Sequence, residues 1–371
     1  MIPEHILSRF PKLSDEEMRR LLEPPSVTGQ PVRMILDTDT ANEIDDQFAL
    51  AWALLSPEQI SMEGVTTEPF SFQHHQSGLA LAKIFLETGP QNAAEGEILE
   101  KYGSWAQRLM DLGKDPAEMK FVTPEEGEEL SYQEILRVYE KLGMDPNGMV
   151  FRGSPNYLTS LDEPLGTPSA EFIIERALAQ SDQPLYVSAI GCVTNVASAL
   201  LIEPEIIKNM VVIWTSAYPS GCRQYNGASL NLVQDKLASQ LLFECGVPLV
   251  YLPGFHVGAQ LSISLPEMET FVKGRGAIGD YLYHLFTHNP IYEQRGITDI
   301  SWRTWIVWDI INIAWLLNPA WVPSELMPAP HLDEQLIWQH PENRHLIREA
   351  YDVNRDAIYH DFYEKLTGAS A

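Results

Sequence analysis

The sequence contains little cysteine and no apolar segment typical of a membrane span. Its 371 residues include 3 cysteines, Cys192, Cys222 and Cys245, and their spacing gives neither a disulfide framework nor a CxxC metal site. An apolar run such as 210–214 is far shorter than the roughly 18 residues that cross a membrane. The first ten residues also lack the basic and apolar regions of a signal peptide, so we expect a cytoplasmic protein with no membrane partner.

Positive charge is also scarce, and this excludes one broad class of partner. The chain has 25 lysines and arginines against 51 aspartates and glutamates, which gives a formal net charge of −26. A field of that sign repels the phosphate backbone of nucleic acids and the surface of anionic membranes. We therefore expect no nucleic-acid partner, and we expect a small ligand that is neutral and polar, cationic, or bridged to the protein by a metal.

Apolar runs typical of buried strands alternate with helix-like patterns between residues 32 and 255. The predicted strands lie at 32–36, 60–67, 185–190, 210–215 and 247–252. The predicted helices that follow the first, third and fourth of these strands lie at 44–55, 193–201 and 233–244. This order predicts an α/β fold with an open, mostly parallel sheet flanked by helices.

Three other segments are expected to surround this sheet. Residues 1–31 are predicted to form an N-terminal helix and a linker, and 32–330 the main α/β domain. Within that domain, 90–168 is rich in Glu, Gly, Pro and Asp and is predicted to be a helical insertion or cap. The last hundred residues are predicted to be mainly helical, with 331–371 as a C-terminal helical extension packed on the same domain.

The most informative segment joins the first strand to the first helix of the sheet. Five carboxylates lie within ten residues here: Asp37, Asp39, Glu43, Asp45 and Asp46. Such a loop lies at the carboxyl edge of a parallel sheet, where ligands bind. Because carboxylates held close together repel one another, a bound divalent cation would relieve the repulsion. Oxygen ligands favour a hard ion, Ca²⁺ or Mg²⁺.

Two chemistries compete for this motif. A phosphatase of the haloacid-dehalogenase type has an apolar strand followed by DxDx[TV], and residues 37–40 fit its start. However, Ala41 stands where threonine or valine belongs, and no acidic pair follows Asp280 at the expected distance. We therefore rank this interpretation below the second one.

The segment also resembles the fingerprint of the calcium-dependent nucleoside hydrolases, DxDxGxDDxxA. Asp39, Asp45, Asp46 and Ala49 match it, with two extra residues between the first and second matches. Four further segments resemble family motifs in the same order: 65–67, 189–197, 228–235 and 308–309. Together they span residues 32–320, so the sequence resembles a divergent branch of this family.

The resemblance implies hydrolysis of the N-glycosidic bond of a nucleoside or related riboside through an oxocarbenium-like transition state. It implies Ca²⁺ as the cofactor and a homodimer or homotetramer as the assembly. The residues implied as metal ligands are Asp39, Asp46, Asp309 and the carbonyl of Ile190, with Asp39 also the general base for the attacking water. The residues implied as substrate contacts are Asp45, Asn231 and Trp308, and Asn226 lies close enough in sequence to assist.

The sequence also departs from the family pattern. Ser229 stands where the family usually has a glutamate that accepts a hydrogen bond from the ribose 5′-hydroxyl. This departure favours an alternative function, a catalytically silent protein that binds ribose or nucleosides. The insertion at 40–43 either brings Asn42 or Glu43 into the pocket or only lengthens the turn. We interpret His74 and His75 as a solvated loop pair.

Overall fold

A computed structural model describes residues 2–369 of the chain, and its centre is an eight-stranded sheet. The described residues form twelve strands: β1 (Val32–Thr38), β2 (Ile60–Thr67), β3 (Val150–Phe151), β4 (Leu185–Ala189), β5 (Met210–Ser216), β6 (Leu249–Pro253), β7 (Ser262–Ser264), β8 (Thr304–Ile306), β9 (Ser324–Pro328), β10 (His331–Leu332), β11 (Trp338–Gln339) and β12 (Leu346–Ala350). Eight of these strands form the main sheet, and β7 with β8 and β10 with β11 form two small sheets. Their order in the main sheet is β3-β2-β1-β4-β5-β6-β12-β9. Neighbouring strands are parallel except β12 and β9, which are antiparallel, so the predicted fold class is confirmed.

Helices cover both faces of the sheet. They are α1 (Glu4–Leu7), α2 (Asp15–Leu21), α3 (Asp45–Leu54), α4 (Gln76–Thr88), α5 (Ala93–Ile98), α6 (Ser104–Asp111), α7 (Pro124–Leu142), α8 (Pro168–Leu178), α9 (Thr194–Ile202), α10 (Leu230–Val233), α11 (Lys236–Glu244), α12 (Leu265–Glu267), α13 (Gly276–Thr287), α14 (Pro290–Gln294), α15 (Ile310–Leu317) and α16 (Arg355–Ala369). No helix of the described chain has both the length and the apolar character needed to cross a membrane.

The sheet is buried on both faces, which explains why its strands are continuous apolar runs. Successive residues of a strand point to opposite faces. In β5, Val211 and Ile213 belong to the apolar core on one face, while Val212 and Trp214 belong to the core on the other. A parallel strand covered on both sides therefore has no polar alternation, and its apolar run is visible in the sequence.

The terminal segments pack against the same cores. Met18 and Leu22 at the N-terminus and Phe362 in α16 belong to the same core cluster as β1. The predicted capping box at the start of α2 is present, because Ser14 and Glu17 exchange hydrogen bonds. The predicted helical insertion contains α5, α6 and α7, and it ends in the short edge strand β3.

The expectation of a mainly helical C-terminus was wrong in part. α16 is a helix, but β12 enters the main sheet beside β6 and pairs with β9 on its other side. These strands are short, and β12 has the sequence LIREA, with two charged residues in its centre. The charges are accommodated because Arg348 donates hydrogen bonds to the backbone carbonyls of Leu22 and Ser324.

The strand order places a crevice at the carboxyl end of β1. The chain moves outward from β1 to β2 and β3 on one side, and from β4 to β5 and β6 on the other. At such a switch point the loops that follow the two central strands diverge, and ligands bind between them. The carboxylates after β1 and the Ile190 segment after β4 both lie at this point.

Candidate active site

Four carboxylates meet at the switch point, and we call them the carboxylate cluster: Asp39, Asp45, Asp46 and Asp309. Asp39 follows β1, Asp45 and Asp46 begin α3, and Asp309 is the N-cap residue of α15. All four side chains are buried. Ligand oxygens of Asp45, Asp46 and Asp309 lie within 4.8 Å of one another. The structure thus brings together carboxylates that are more than 260 positions apart in the sequence.

The hydrogen bonds within the carboxylate cluster leave several oxygens without a partner. The Thr38 hydroxyl donates to Asp46 Oδ1 at 2.5 Å, whereas Asp46 Oδ2 has no partner in the described residues. Gln234 Nε2 lies 3.4 Å from Asp39 Oδ2, and Asp39 Oδ1 likewise has no partner there. Asp309 does not use its side chain to cap α15. Buried carboxylate oxygens without donors are costly, which indicates that a ligand completes this site.

The absence of a side chain at Gly191 allows Asp39 to approach the β4 edge. A Cβ atom at this position would lie 2.9 Å from Asp39 Cγ and 3.0 Å from Asp39 Oδ1. Gly191 directly follows Ile190, which lines the cavity described below. The glycine therefore brings Asp39 and this backbone segment together.

Burial and mutual repulsion shift the acidity of the whole cluster. Burial, followed by the charge of Asp46, raises the pKa of Asp39 well above its ordinary value. Burial, followed by the charges of neighbouring carboxylates, raises the pKa of Asp45 and of Asp309 in the same way. Burial raises the pKa of Asp46 to about 7. Without a cation, these groups therefore hold protons at pH values where isolated aspartates are ionised.

The donor set fits a hard divalent cation. It consists of oxygen atoms only, and oxygen is the preferred ligand of Ca²⁺ and Mg²⁺. The unpartnered oxygens of Asp39 and Asp46 are available to such an ion. A cation would also offset the repulsion that raises the carboxylate pKa values. The residues present therefore fit the metal expected from the sequence.

Two predicted residues, Ile190 and Asn231, lie at the cavity and contact each other. Asn231 Nδ2 donates to the Ile190 carbonyl at 2.7 Å and to the Thr215 carbonyl at 3.1 Å. A carbonyl oxygen has two lone pairs, so the Ile190 carbonyl retains one acceptor position for another ligand. With Nδ2 fixed by these bonds, the Asn231 carbonyl oxygen is the end of the amide that remains for a sugar hydroxyl.

Trp308 forms part of the apolar wall of a cavity of about 560 Å³ that opens from the carboxylate cluster. Its ring meets Phe255 edge to face with centroids 5.8 Å apart, and its backbone N–H donates to Asp45 Oδ2 at 3.2 Å. Phe72 and Trp305 also line the cavity. This volume and this combination of aromatic walls with a polar end are typical of small-molecule sites.

The structure does not bring Asn226 to the cavity. Its side chain is fully buried, its Oδ1 accepts from the Tyr218 N–H, and its Nδ2 donates to the Leu336 carbonyl. Asn226 is also not among the residues that line the cavity. The expectation that it contacts substrate was based only on closeness in sequence, and its hydrogen bonds instead give it a structural role.

Sequence reasoning missed several residues of the site. The insertion brings both Asn42 and Glu43 to the cavity wall, which the sequence left open. His74 and His75 also line the cavity, so the expected solvated pair is wrong for His75, which is half-buried among aromatic rings. Sequence reasoning also missed Gln234, whose Nε2 lies near Asp39 Oδ2. Gln234 lies three residues after Asn231 in the sequence, and this closeness to a predicted sugar-binding residue was the available signal.

A second pair of buried acids lies beside the cluster but outside the cavity lining. Glu68 is fully buried, its Oε1 accepts from the Asn195 N–H, and the Cys192 thiol donates to its Oε2. Asp37 accepts from the Thr66 hydroxyl and from Asn195 Nδ2. Burial raises the pKa of Asp37 to about 6 and that of Glu68 well above its ordinary value. These contacts hold the end of β1 against β2 and α9.

Comparison with known proteins agrees with this geometry. The sequence profile described as inosine-uridine preferring nucleoside hydrolase matches residues 34–359. A probable uridine nucleosidase 2 of Arabidopsis thaliana is 23% identical over 279 residues, which cover 72% of this chain and 74% of that protein. A non-specific ribonucleoside hydrolase RihC of Shigella flexneri is 31% identical over 160 residues, 42% of this chain and 49% of that protein.

Solved structures show the same fold. The plant nucleoside hydrolase PpNRh1 superposes with a TM-score of 0.61 at 17% identity, covering 91% of this chain and 99% of that one. The profile match extends over most of the chain and includes every member of the carboxylate cluster. The chain therefore belongs to the inosine-uridine preferring nucleoside hydrolase family and is a hydrolase that acts on N-glycosyl compounds.

Proposed function

We propose that this enzyme is a calcium-dependent N-ribohydrolase that cleaves a nucleoside or a related riboside to free sugar and base, with Asp39 as the general base. The observation that carries the proposal is the buried carboxylate cluster: Asp45 and Asp309 line the cavity, and Asp39 and Asp46, behind the cavity lining, each hold an oxygen without a partner in the described residues. The family assignment removes the phosphatase alternative that residues 37–40 left open.

The reaction places two demands on the floor of the cavity. A water molecule must lose a proton as it adds to the anomeric carbon, and the ribose hydroxyls must be held so that this carbon faces the water. Asp39, Asp46, Asp309 and the Ile190 carbonyl are the groups proposed to hold the cation. When bound, Ca²⁺ acts as a Lewis acid that favours ionisation of water and binds hydroxyl oxygens.

Asp39 is proposed to receive the proton of the attacking water. Its Oδ1 has no hydrogen-bond donor in the described residues, and Gly191 leaves room beside it. A general base requires such a free, positioned acceptor. Because the pKa of Asp39 is raised by burial and by Asp46, an accepted proton is also better retained than on an exposed aspartate.

The remaining contacts are assigned to sugar and base. Asp45 and Asn231 line the cavity, and the Asp45 carboxylate and the Asn231 carbonyl oxygen are proposed to accept hydrogen bonds from ribose hydroxyls. Trp308 and Phe255 form an aromatic wall. We propose that the leaving base stacks on this wall, because no histidine occupies the position before Asp309.

The test is release of free sugar from a panel of purine and pyrimidine ribosides, with and without a chelator. We expect turnover that the chelator abolishes and added Ca²⁺ restores. Asp309→Asn should lower kcat/KM by about a hundredfold or more, because it weakens the hold on metal and sugar together. Asp182→Asn, an exposed aspartate outside the cavity, is the matched control.

Two outcomes would contradict the proposal. Turnover that survives the chelator and Asp309→Asn would show that the carboxylate cluster is not the catalytic centre. Tight Ca²⁺ and riboside binding without any sugar release would instead support the silent binder, the alternative favoured by Ser229. Calorimetric titration with Ca²⁺ and with ribose separates these two results.

A further inference from the structure

The cavity that opens from the carboxylate cluster also carries positive charge. Lys101 and Arg295 both line it, and His74 and His75 lie beside them. The three segments that supply these groups are the residues just before α4, the helical segment 99–103 between α5 and α6, and the end of α14. In a chain with a net charge of −26, two cations on one cavity wall are a local reversal of the overall charge.

Neither side chain has a hydrogen-bond or ion-pair partner among the described residues. In residues 2–369, the side chains of Lys101 and Arg295 make no hydrogen bond and no ion pair. Lys101 lies over the Tyr102 ring at 5.2 Å and Arg295 over the Trp105 ring at 5.9 Å. Arg295 also feels the charge of Glu43, which lines the same cavity, although no hydrogen bond joins them.

Six other arginines of the described residues bind differently. Arg33, Arg137, Arg152, Arg176, Arg344 and Arg355 each form an ion pair with a glutamate. The acidic composition offers many such partners, and in residues 2–369 neither Lys101 nor Arg295 pairs with one. An aromatic ring below each cation supports its position while leaving its N–H groups free to bind a ligand.

The cations lie close to the segment expected to receive the 5′ end of the sugar. Leu230, between Ser229 and Asn231, packs against the aromatic cluster that contains Phe72, Tyr102 and Trp105. Lys101 directly precedes Tyr102 in the chain, and Arg295 faces Trp105. Ser229, Lys101 and Arg295 line the same cavity, so a substituent that leaves the sugar beside Ser229 enters the cavity that holds both cations.

Ser229 leaves its part of the cavity without the negative charge that would repel an anion. Its hydroxyl is held by the Ser216 hydroxyl at 2.8 Å and accepts from the Ala217 N–H at 3.0 Å, so the position is neutral and its conformation is fixed. A glutamate in its place would repel a negative group. The sequence thus lacks a negative charge at this point, and the fold supplies two positive charges nearby.

We propose that the substrate is a riboside that carries a phosphate on its 5′ carbon and that Lys101 and Arg295 bind this phosphate. The inference rests on the proposed function, whose chemistry it leaves unchanged. Water adds to the anomeric carbon, the bond to the base breaks with its electron pair on the base nitrogen, and the proton lost by water reaches that nitrogen through Asp39 and solvent. The products are ribose 5-phosphate and the free base.

The experiment compares kcat/KM for inosine, uridine and their 5′-monophosphates. We expect the wild type to prefer the monophosphates by about tenfold or more, because charge-assisted hydrogen bonds to a phosphate are worth that much or more. Lys101→Gln with Arg295→Gln should lower this preference ratio by about tenfold, and rising ionic strength should lower it in the wild type. Lys120→Gln, an exposed lysine of the same insertion outside the cavity lining, should leave the ratio unchanged.

A second measurement keeps the inference testable if no riboside is cleaved. Ribose 5-phosphate and ribose are titrated into the wild type and into the Lys101→Gln, Arg295→Gln double variant. Tighter binding of the phosphate that the double variant loses supports the inference, even where the proposed function has failed. Equal binding of both sugars, or equal turnover of nucleosides and monophosphates, overturns the inference and leaves the hydrolase intact. ADP-ribose, whose phosphate is part of a diphosphate bridge, shows whether a monoester is required.

Discussion

At the scale of single residues, Gly191 provides a sharp test of how Asp39 is positioned. A Cβ atom at position 191 would lie 2.9 Å from Asp39 Cγ, so Gly191→Ala must displace the Asp39 side chain. We expect kcat to fall by about tenfold to about a hundredfold, because small misplacements of catalytic groups have effects of that size. Steady-state kinetics on the best riboside measures the loss.

The control for this substitution is Gly166→Ala. A Cβ atom at position 166 would meet nothing within 4 Å, so kcat should stay unchanged. Thermal denaturation of both variants separates a local shift from general destabilisation. If Gly191→Ala retained full kcat, Asp39 would tolerate displacement, and its role as general base would be contradicted.

The raised acidity of the carboxylate cluster predicts how stability depends on pH. The pKa of Asp46 is about 7 in the folded protein, and those of Asp39, Asp45 and Asp309 are also well above their ordinary values. The unfolded chain has already lost these protons, so the folded state binds more protons and becomes less stable as pH rises. For Asp46 this loss begins at about pH 4, where an unfolded aspartate ionises, and is largely complete a little above pH 7, so we expect the carboxylate cluster to lower the stability of the metal-free protein progressively from about pH 4 to about pH 8.

Histidines with lowered pKa values act in the opposite direction, but only up to about pH 6.5, where an unfolded histidine loses its proton. The pKa of His75 falls to about 3 and that of His345 to about 4, mainly through burial, so their effect on stability is largely complete by pH 7. Chemical denaturation at several pH values, with a chelator and with Ca²⁺, checks the prediction. Saturating Ca²⁺ should remove the decline, and a decline of equal size in both conditions would assign it to other groups.

The sequence predicted those site residues that follow the ends of strands, and it missed those that helical segments supply. Asp39, Asp46 and Ile190 follow strand ends, and strand ends of a parallel sheet meet at one edge, so their convergence was predictable. Lys101 and Arg295 come from helical segments without such a signal. Their meeting depends on how α4 to α6 and α14 pack together, which no local pattern specifies.

At the scale of elements, α7 packs closely on the loop after β2, and Gly127 allows this contact. A Cβ atom at Gly127 would lie 2.1 Å from the Phe70 carbonyl oxygen, and backbone cannot move aside cheaply. We expect Gly127→Ala to destabilise the protein by about 1–3 kcal/mol, as overpacking usually does. Denaturant titration gives the free energy of unfolding.

A matched glycine lies in α5. A Cβ atom at Gly96 would meet nothing within 4 Å, so Gly96→Ala should raise stability by about 0.5 kcal/mol through helix propensity. Opposite signs for the two substitutions would support the packing of α7 described above. A stabilising Gly127→Ala would show that α7 lies farther from this loop.

The strands that the sequence predicted and the strands that it missed are stabilised in different ways. β1, β2, β4, β5 and β6 are buried on both faces, and this environment produces the apolar runs that identify them. β12 contains Arg348 and Glu349, whose polar atoms bond to groups distant in sequence, as in the bond from the Ser220 N–H to Glu349. A strand stabilised by such long-range contacts gives no local signal.

At the scale of the whole molecule, the net charge of −26 predicts two separable effects of ions. Self-repulsion of a strongly charged fold is reduced by any salt, because screening acts on all exposed charges. Binding of Ca²⁺ to the carboxylate cluster is a different effect, because it stabilises only a state that contains the folded site. The expected cytoplasmic location and homo-oligomeric assembly stay predictions from the sequence.

Thermal denaturation at matched ionic strength separates the two effects. NaCl should raise Tm modestly, and Ca²⁺ at about 100 times its dissociation constant should add about 2.7 kcal/mol, or about 3–4 °C for a chain of this length. Asp46→Asn should lose most of the calcium increment and keep the NaCl increment, because it removes one ligand oxygen from the site and changes the net charge of −26 by only one unit. If Ca²⁺ and NaCl raised Tm equally at the same ionic strength, the carboxylate cluster would not be a calcium site, and its buried oxygens would have to be satisfied by protons.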